Sequence, residues 1–480
     1  MKLIINRLNW SWFGLLVLAL TISESALAVE DRQDYKLCQS NLPTAIDEII
    51  NRPELARSRW GIEIQTLDGE SLYSLNGDKF FTPASSAKLL VAAAALLELG
   101  ADYRIETPIY SVGNLPTLTS LRLKGQGDPT ITTQSLKNIV HQLQAKGVER
   151  IENLIIDDSY FDSPAINPTW EWIDVHSYFA TAVNSTILNQ NTVTLTLFPQ
   201  QIGELVKYSW SDAIAANQWQ VVNEAVTGEA DIEYDVEIDG DIGRPLLQLR
   251  GELAVNEPPD VWDLAVVDPA LYFLESLRSH LNRAGIAVNR GTVVDRPYRD
   301  ELQTELVAIY SPPMQQILAE INQFSNNLYA EAIGKILAEK LNVDATEAIN
   351  LSLKEIGIEP DEYVLVDASG LSRQNLITPQ TLVKILRLMS QTTLADSYRQ
   401  SLAVAGEGTL KRRFIDPSVE GLWAKTGTLT GVGALAGYLV SEEYPIIVFS
   451  ILVNNSDLKS KEIRQAIDEI IVDLNHIEKC

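Results

Sequence analysis

The spacing of apolar residues changes period several times along the chain. Ile46, Ile49 and Ile50 recur at helical spacing. Residues 60–75 read as two short strands about Asp68-Gly69, a dipeptide suited to a hairpin turn. Pro83 stands where a helix can begin, and an Ala/Leu-rich run over 88–99 continues it until Gly100 stops it. Beyond Asp102 the texture turns to strand-like segments, short turns and several tryptophans, up to about residue 300. Helices and strands then alternate again. Residues 421–425, 434–440 and 446–453 predict three consecutive strands, and Ile463, Ile467, Ile470, Ile471 and Leu474 mark one side of a final amphipathic helix. A helix at each end around an antiparallel sheet predicts an α+β domain built from both chain ends, with the middle of the chain inserted into it.

The start of the chain has a different pattern. Lys2 and Arg7 precede an apolar stretch over residues 13–22, and Ala26-Leu27-Ala28 has the small residues of a cleavage site. Residues 1–28 therefore read as an export signal cleaved after Ala28. The alternative is an uncleaved anchor, but spanning a bilayer takes about 20 apolar residues and this run is shorter. No other segment is apolar enough to span, so the mature protein is expected to be soluble outside the cytoplasm.

Composition narrows the picture further. The 480 residues are 46% hydrophobic and 21% charged, as in an ordinary folded protein of two or three domains. A net charge of -26 argues against a nucleic-acid partner, since no basic stripe exists to neutralise phosphates. Only two cysteines occur, Cys38 and Cys480, and export makes a disulfide between them permissible. Two terminal helices that both need the same sheet to cover their isoleucine faces would pack side by side. If antiparallel, they bring Cys38, before the first, to Cys480, after the last.

Three short motifs carry chemistry, in a meaningful order. Ser85-Ser86-Ala87-Lys88 gives Ser-x-x-Lys, Ser325-Asn326-Asn327 gives Ser-x-Asn, and Lys425-Thr426-Gly427 gives Lys-Thr-Gly. Each alone is weak: Ser456 with Lys459, and Ser74 with Asn76, repeat the first two by chance. Ser85 differs in its setting, because a helix starting there puts Lys88 one turn on and on the same face. A serine hydroxyl becomes a nucleophile when a base takes its proton, and lysine serves if burial and a nearby positive charge favour its neutral form. Apolar neighbours and Lys425 supply both. Ser325 offers a hydroxyl to pass a proton to a leaving amine, and Asn327 an amide for a substrate backbone. Gly427 lets a substrate strand lie close, while Thr426 and Thr428, beside the Lys425 charge, suit a terminal carboxylate. The backbone N–H groups of Ser85 and Thr428 are the expected oxyanion donors. There is no Gly-x-Ser-x-Gly elbow and no His-Glu-x-x-His pair, and His141, His176, His280 and His476 are scattered, so neither a metal nor another cofactor is implied.

With these motifs the chain resembles the class C low-molecular-mass penicillin-binding proteins, serine D-alanyl-D-alanine carboxypeptidase/endopeptidases with a large insertion. The resemblance also rests on Gly125-Gln126-Gly127-Asp128-Pro129, on Trp170-Glu171-Trp172-Ile173-Asp174, on Asp367-Ala368-Ser369-Gly370-Leu371-Ser372-Arg373, and on residues 406–414. Far more chain separates Ser85 from Ser325 than in class A β-lactamases. One departure is Ala368, where the family usually has glycine.

The resemblance implies a transpeptidase/β-lactamase-like α+β domain, an antiparallel sheet flanked by helices, with two inserted mainly β domains. On this sequence the first domain would take 29–102 and 300–480, the second 103–190 and 262–299, and the third 191–261. It implies hydrolysis of D-Ala-D-Ala, and of D-alanyl–diaminopimelate cross-links, in peptidoglycan stem peptides, with β-lactams as covalent inhibitors. The positions matching a pocket for the diaminopimelate side-chain end are Asp174, Phe179 and Arg373. Two other readings stay open on the sequence: a β-lactamase, which the lack of any Glu-x-x-Leu-Asn disfavours, and a non-catalytic wall-binding protein, which would be expected to have lost a motif.

Overall fold

The computed structural model describes residues 36–480 apart from 242, 298–301, 416–418, 420 and 442–443. The predicted export signal lies outside the described residues. Among these, no helix is long and apolar enough to cross a membrane.

A six-stranded antiparallel sheet forms the frame of the first domain. Its order is Ala403–Val404, Leu422–Leu429, Val432–Leu439, Ile447–Asn454, Arg59–Thr66 and Ser71–Leu75. Val432–Leu439 and Ile447–Asn454 are buried at every position. Such unbroken burial arises because both faces of the sheet are covered. The helices Leu42–Ile50 and Ser460–Asn475 cover one face with Ile46, Ile49, Ile50, Ile463, Ile467, Ile470, Ile471 and Leu474. Just outside them, Leu37–Cys38 pairs with Ile477–Glu478, and Cys38 and Cys480 are joined by a disulfide, with Cα atoms 5.4 Å apart.

The helix Lys88–Leu99 lies in the core of the other face. Every residue from Lys88 to Leu96 is buried, so this helix has no polar side to give to water. Asn327–Leu341 and Pro379–Ser390 share its cluster.

The inserted region is organised around a five-stranded mixed sheet, in the order Ala287–Val294, Arg150–Asp157, Thr117–Lys124, Glu106–Asn114 and Thr304–Tyr310. Arg150–Asp157 runs parallel to both Thr117–Lys124 and Ala287–Val294. Parallel neighbours need a long crossover, and the helices Thr133–Ala145 and Pro269–Arg283 lie in those crossovers. The Thr304–Tyr310 strand lies past residue 300, where the sequence pattern put the return to the first domain. Its antiparallel pairing with Glu106–Asn114 ties it instead to the inserted sheet. Likewise Asp260–Ala265, which straddles the expected limit at residue 261, pairs with Thr192–Phe198. Smaller sheets built from residues 192–265 complete the insertion, and one apolar cluster runs through its sheets.

Between Arg150–Asp157 and Thr192–Phe198 a long loop returns to the first domain. Trp170, Ala180, Val183 and Ile187 from this loop pack against Leu328, Ala332 and Leu371. That contact brings inserted residues to the edge of the cleft described next.

Candidate active site

Three elements meet at the site. A single 3-10 turn, Ala84–Ala87, carries Ser85 and runs directly into the Lys88–Leu99 helix. Ser325 sits in the turn before Asn327–Leu341, whose N-terminus is capped by the Asn326 side chain accepting from the Tyr329 N–H. Lys425, Thr426, Gly427 and Thr428 lie on the Leu422–Leu429 strand. Both serine turns hold a left-handed residue, Ala84 with φ 47° and Ser325 with φ 60°. Such backbone costs about 1 kcal/mol or more per residue and is typical of functional turns.

The Ser85 turn and the strand touch at Gly427. A Cβ there would stand 2.7 Å from the Pro83 carbonyl oxygen and 3.2 Å from the Ala84 Cβ, so only glycine allows this approach. Ser85 itself is partly accessible, and Thr428 is exposed.

Lys88 is fully buried and makes three contacts through Nζ. It donates to Ser85 Oγ at 2.9 Å, to Asn327 Oδ1 at 2.6 Å, and to the Ser369 carbonyl oxygen. Burial pushes its pKa down to about 7, against the pull of Asp367 and Glu331 towards the charged form. Lys425, also fully buried, donates to Ser325 Oγ at 2.9 Å and to the Thr426 carbonyl oxygen at 2.7 Å. Its pKa is depressed well below the ordinary lysine value, first by burial and then by the charge of Lys88. All five residues of the three motifs named as chemical groups are thus joined in two hydrogen-bonded sets.

Asn327 is engaged at both ends. While Oδ1 accepts from Lys88, Nδ2 donates to the Phe179 carbonyl oxygen at 2.8 Å. The amide therefore links Lys88 to the returning loop, with one of its two N–H groups already used inside the protein.

At the rim, Arg373 has partners within the protein. Arg373 Nε stands 3.2 Å from Glu171 Oε1, and its Nη1 donates to the Thr430 carbonyl oxygen at 3.1 Å. Asp174 lies close enough for burial and the Glu171 charge to raise its pKa, while Arg373 opposes that rise. Arg373 is near enough to act on the charge of Asp174, and Phe179 packs against the cluster that contains Leu371, but the side chain that pairs with the arginine is that of Glu171.

Other residues became visible only in three dimensions. Asp367 is buried and accepts from the N–H groups of Gly370 and Ser372, from Trp170 Nε1 and from Asn375 Nδ2, at 2.7–2.9 Å. Gly370 has φ +80°, and a Cβ there would run into the Ala84 carbonyl oxygen. The Asp367–Arg373 stretch is thereby pressed against the Ser85 turn. In the sequence this stretch carries the resemblance, with a role expected for Arg373 alone. The decoy serine Ser456 is bonded to Ser58 Oγ at 2.9 Å, apart from this set. Among the described residues no group of His, Cys, Asp and Glu could hold a metal ion.

Comparison with known proteins points the same way. Residues 42–474 match the model of the D-Ala-D-Ala carboxypeptidase 3 (S13) family. The chain is 31% identical to the D-alanyl-D-alanine carboxypeptidase of Actinomadura sp. (strain R39), over 92% of this chain and 85% of that one. In fold it is similar to the crystal structure of penicillin binding protein 4 (DacB) from Haemophilus influenzae, with a TM-score of 0.79 and 24% identity over 89% of this chain and 98% of that one. A penicillin G-acylated predatory endopeptidase from Bdellovibrio bacteriovorus also shares the fold, with a TM-score of 0.52 and 16% identity over 87% of this chain and 91% of that one. The fold is accordingly the transpeptidase/β-lactamase-like α+β fold. Given the match over nearly its whole length, the chain belongs to the D-Ala-D-Ala carboxypeptidase 3 (S13) family of serine-type D-alanyl-D-alanine carboxypeptidases.

Proposed function

We propose that this carboxypeptidase works outside the cytoplasm through a Ser85 acyl-enzyme, that β-lactams acylate the same serine, and that it also opens D-alanyl–diaminopimelate cross-links. The observation that carries the reading is the buried Lys88 amine, 2.9 Å from Ser85 Oγ with a pKa lowered to about 7. At neutral pH a large share of Lys88 is then uncharged and able to take the serine proton.

Ser85 Oγ attacks the carbonyl carbon of the penultimate D-alanine while its proton passes to Lys88 Nζ. The N–H groups of Ser85 and Thr428 receive the developing oxyanion. Ser325, held by Lys425, hands a proton to the nitrogen of the departing D-alanine and is replenished by the proton that Lys88 took from Ser85, while the D-alanine carboxylate lies against the Thr426 and Thr428 hydroxyls. The remaining N–H of Asn327 meets the substrate backbone, and Gly427 leaves room for the strand. Water then attacks the ester carbonyl and gives up a proton, Ser85 Oγ leaves and is reprotonated, and the shortened peptide is released.

The endopeptidase reading rests on the rim. A diaminopimelate side chain ends in an ammonium and a carboxylate, which Asp174 and Arg373 complement, with Phe179 alongside. The names of two structural neighbours agree with the wider reading: the Haemophilus protein was crystallised with a β-lactam, and the Bdellovibrio protein is an endopeptidase acylated by penicillin G. Export is supported by the pattern of residues 1–28 and by the Cys38–Cys480 disulfide, which suits an oxidising compartment. Incubation of purified protein with cross-linked muropeptides, with products identified by mass, tests the substrate reading. The expected products are monomers and free D-alanine; cross-linked peptides that keep every D-Ala–diaminopimelate bond would remove the endopeptidase part.

A further inference from the structure

Lys88 has three polar neighbours, and their arrangement decides where its lone pair points. As an ammonium it has three N–H groups for Ser85 Oγ, Asn327 Oδ1 and the Ser369 carbonyl oxygen. Once neutral it has two. If these stay with Asn327 and Ser369, the lone pair faces the Ser85 hydroxyl. The aim of the base thus depends on how firmly a backbone carbonyl, that of Ser369, is held.

Glu331 holds it. This residue stands one turn after Asn327 on the same helix face and is buried. Its Oε1 accepts from the Ala368 N–H at 2.9 Å and from the Ser369 N–H at 2.7 Å. These two bonds fix the peptide units that lead into Ala368 and Ser369, while the unit that bears the Ser369 carbonyl includes the Gly370 N–H, which donates to Asp367 Oδ1 at 2.8 Å, so Ser369 is held on both sides. On the next turn of the helix, Lys335 donates to the carbonyl oxygens of Pro164 and Val183, at 2.7 and 2.9 Å, and ties down the returning loop. Asn327, Glu331 and Lys335 form one stripe in which each residue anchors a different piece of the wall. A buried carboxylate beside Asp367 is costly, since burial and that neighbour raise the Glu331 pKa to about 7.

We propose that Glu331 is a positioning residue for the general base: by clamping the Ala368 and Ser369 amides it fixes Ser369 from its N-terminal side, and so the place of the carbonyl that, with Asn327, aims Lys88 at Ser85. The proposal rests on Ser85 and Lys88 being nucleophile and base. Glu331 touches neither substrate nor nucleophile, so its loss acts on the rate of acylation rather than on binding.

Two substitutions separate reach from charge. Glu331→Gln keeps the acceptor oxygen at the same distance and loses the charge; Glu331→Asp keeps the charge and withdraws the oxygen by one methylene. Acylation by benzylpenicillin is followed under single-turnover conditions across a concentration series at pH 8, resolving the maximal rate from the half-saturating concentration. Misplacing a reacting group by about 1 Å costs up to roughly 100-fold. The Asp variant is therefore expected to fall about 10- to 100-fold in maximal rate, with Gln recovering to within about threefold of wild type. In both, the half-saturating concentration is expected to change by less than about threefold, the mark of an interaction made after binding. An Asp variant as fast as Gln, or a loss carried by binding instead of rate, overturns the proposal. Ser85→Ala run alongside keeps the two readings apart: labelling of that protein would defeat the nucleophile assignment, whereas a silent Ser85→Ala with a fast Glu331→Asp defeats only the role of Glu331.

Discussion

The floor of the cleft and its rim handle charge in opposite ways. On the floor, Lys88 and Lys425 are completely buried, Asp367 is 2% exposed and Glu331 is 7% exposed. Every one of these charges is met by backbone or side-chain hydrogen bonds, and burial drives Lys88 and Lys425 towards neutrality. On the rim, the side chains of Arg373 and Glu171 are 37% and 49% exposed, and water screens their pairing. The floor is preorganised chemistry, with large pKa shifts and one permitted geometry. The rim is a set of exposed charges in which Glu171 pairs with the arginine.

The largest effect should come from the floor. Ser85→Ala is expected to lower peptide hydrolysis by about 10⁴-fold or more and to abolish labelling by fluorescent penicillin. Ser456→Ala, the decoy, should leave both unchanged. Full labelling of Ser85→Ala would erase the distinction between the two serines.

Next is pH. The reactive form of Lys88 is neutral, so the maximal acylation rate should rise with pH and level off with a midpoint near 7. With that midpoint, the rate at pH 5 falls by about 100-fold, tenfold per unit. The sign follows from the depressed pKa: an ordinary lysine would place the midpoint above 10 and leave the enzyme nearly idle at neutrality. Single-turnover acylation measured from pH 5 to 9 checks this, and a midpoint above 9 would put the amine outside the buried floor.

The rim should answer more weakly and more selectively. Arg373→Ala is expected to cost about 1.5–3 kcal/mol on substrates ending in a free diaminopimelate side chain, and far less on diacetylated tripeptides. Comparing kcat/KM on the two substrates checks it. Equal loss on both would assign Arg373 to holding the Thr430 backbone, a structural role.

The smallest effect on the cleft should come from the disulfide, which sits with the terminal helices on the opposite face of the sheet. Replacing Cys38 by serine is expected to lower stability by about 2–4 kcal/mol and to leave acylation unchanged. Thermal unfolding and penicillin labelling of Cys38→Ser report the two quantities separately.

Local periodicity made much of the first domain readable in the sequence. The hairpin about Asp68-Gly69, the Lys88–Leu99 helix ending at Gly100 and the final isoleucine-faced helix are all patterns of spacing within one element. Ser85 and Lys88 were legible for the same reason, lying one turn apart. Pairings between distant segments were not. Nothing in residues 304–310 announces that they join a strand some 200 residues earlier, because strand pairing uses backbone groups that every residue has. The same blindness hid the Ser369 carbonyl, which has no side-chain signature. Glu331 left a faint one, an acidic residue one turn after Asn327 within the apolar run from Leu328 to Ile333. Glu171 was inside a quoted motif, but no spacing tells which of two nearby acids an arginine takes.

The proposed chemistry turns on one bond, between Ser85 Oγ and an acyl group. Its most direct test is intact-mass analysis of the protein after benzylpenicillin treatment, followed by peptide mapping of the adduct. The predicted result is a single added penicilloyl group, found on the peptide containing Ser85. An adduct on another residue, or a folded protein that never gains the mass, would contradict it.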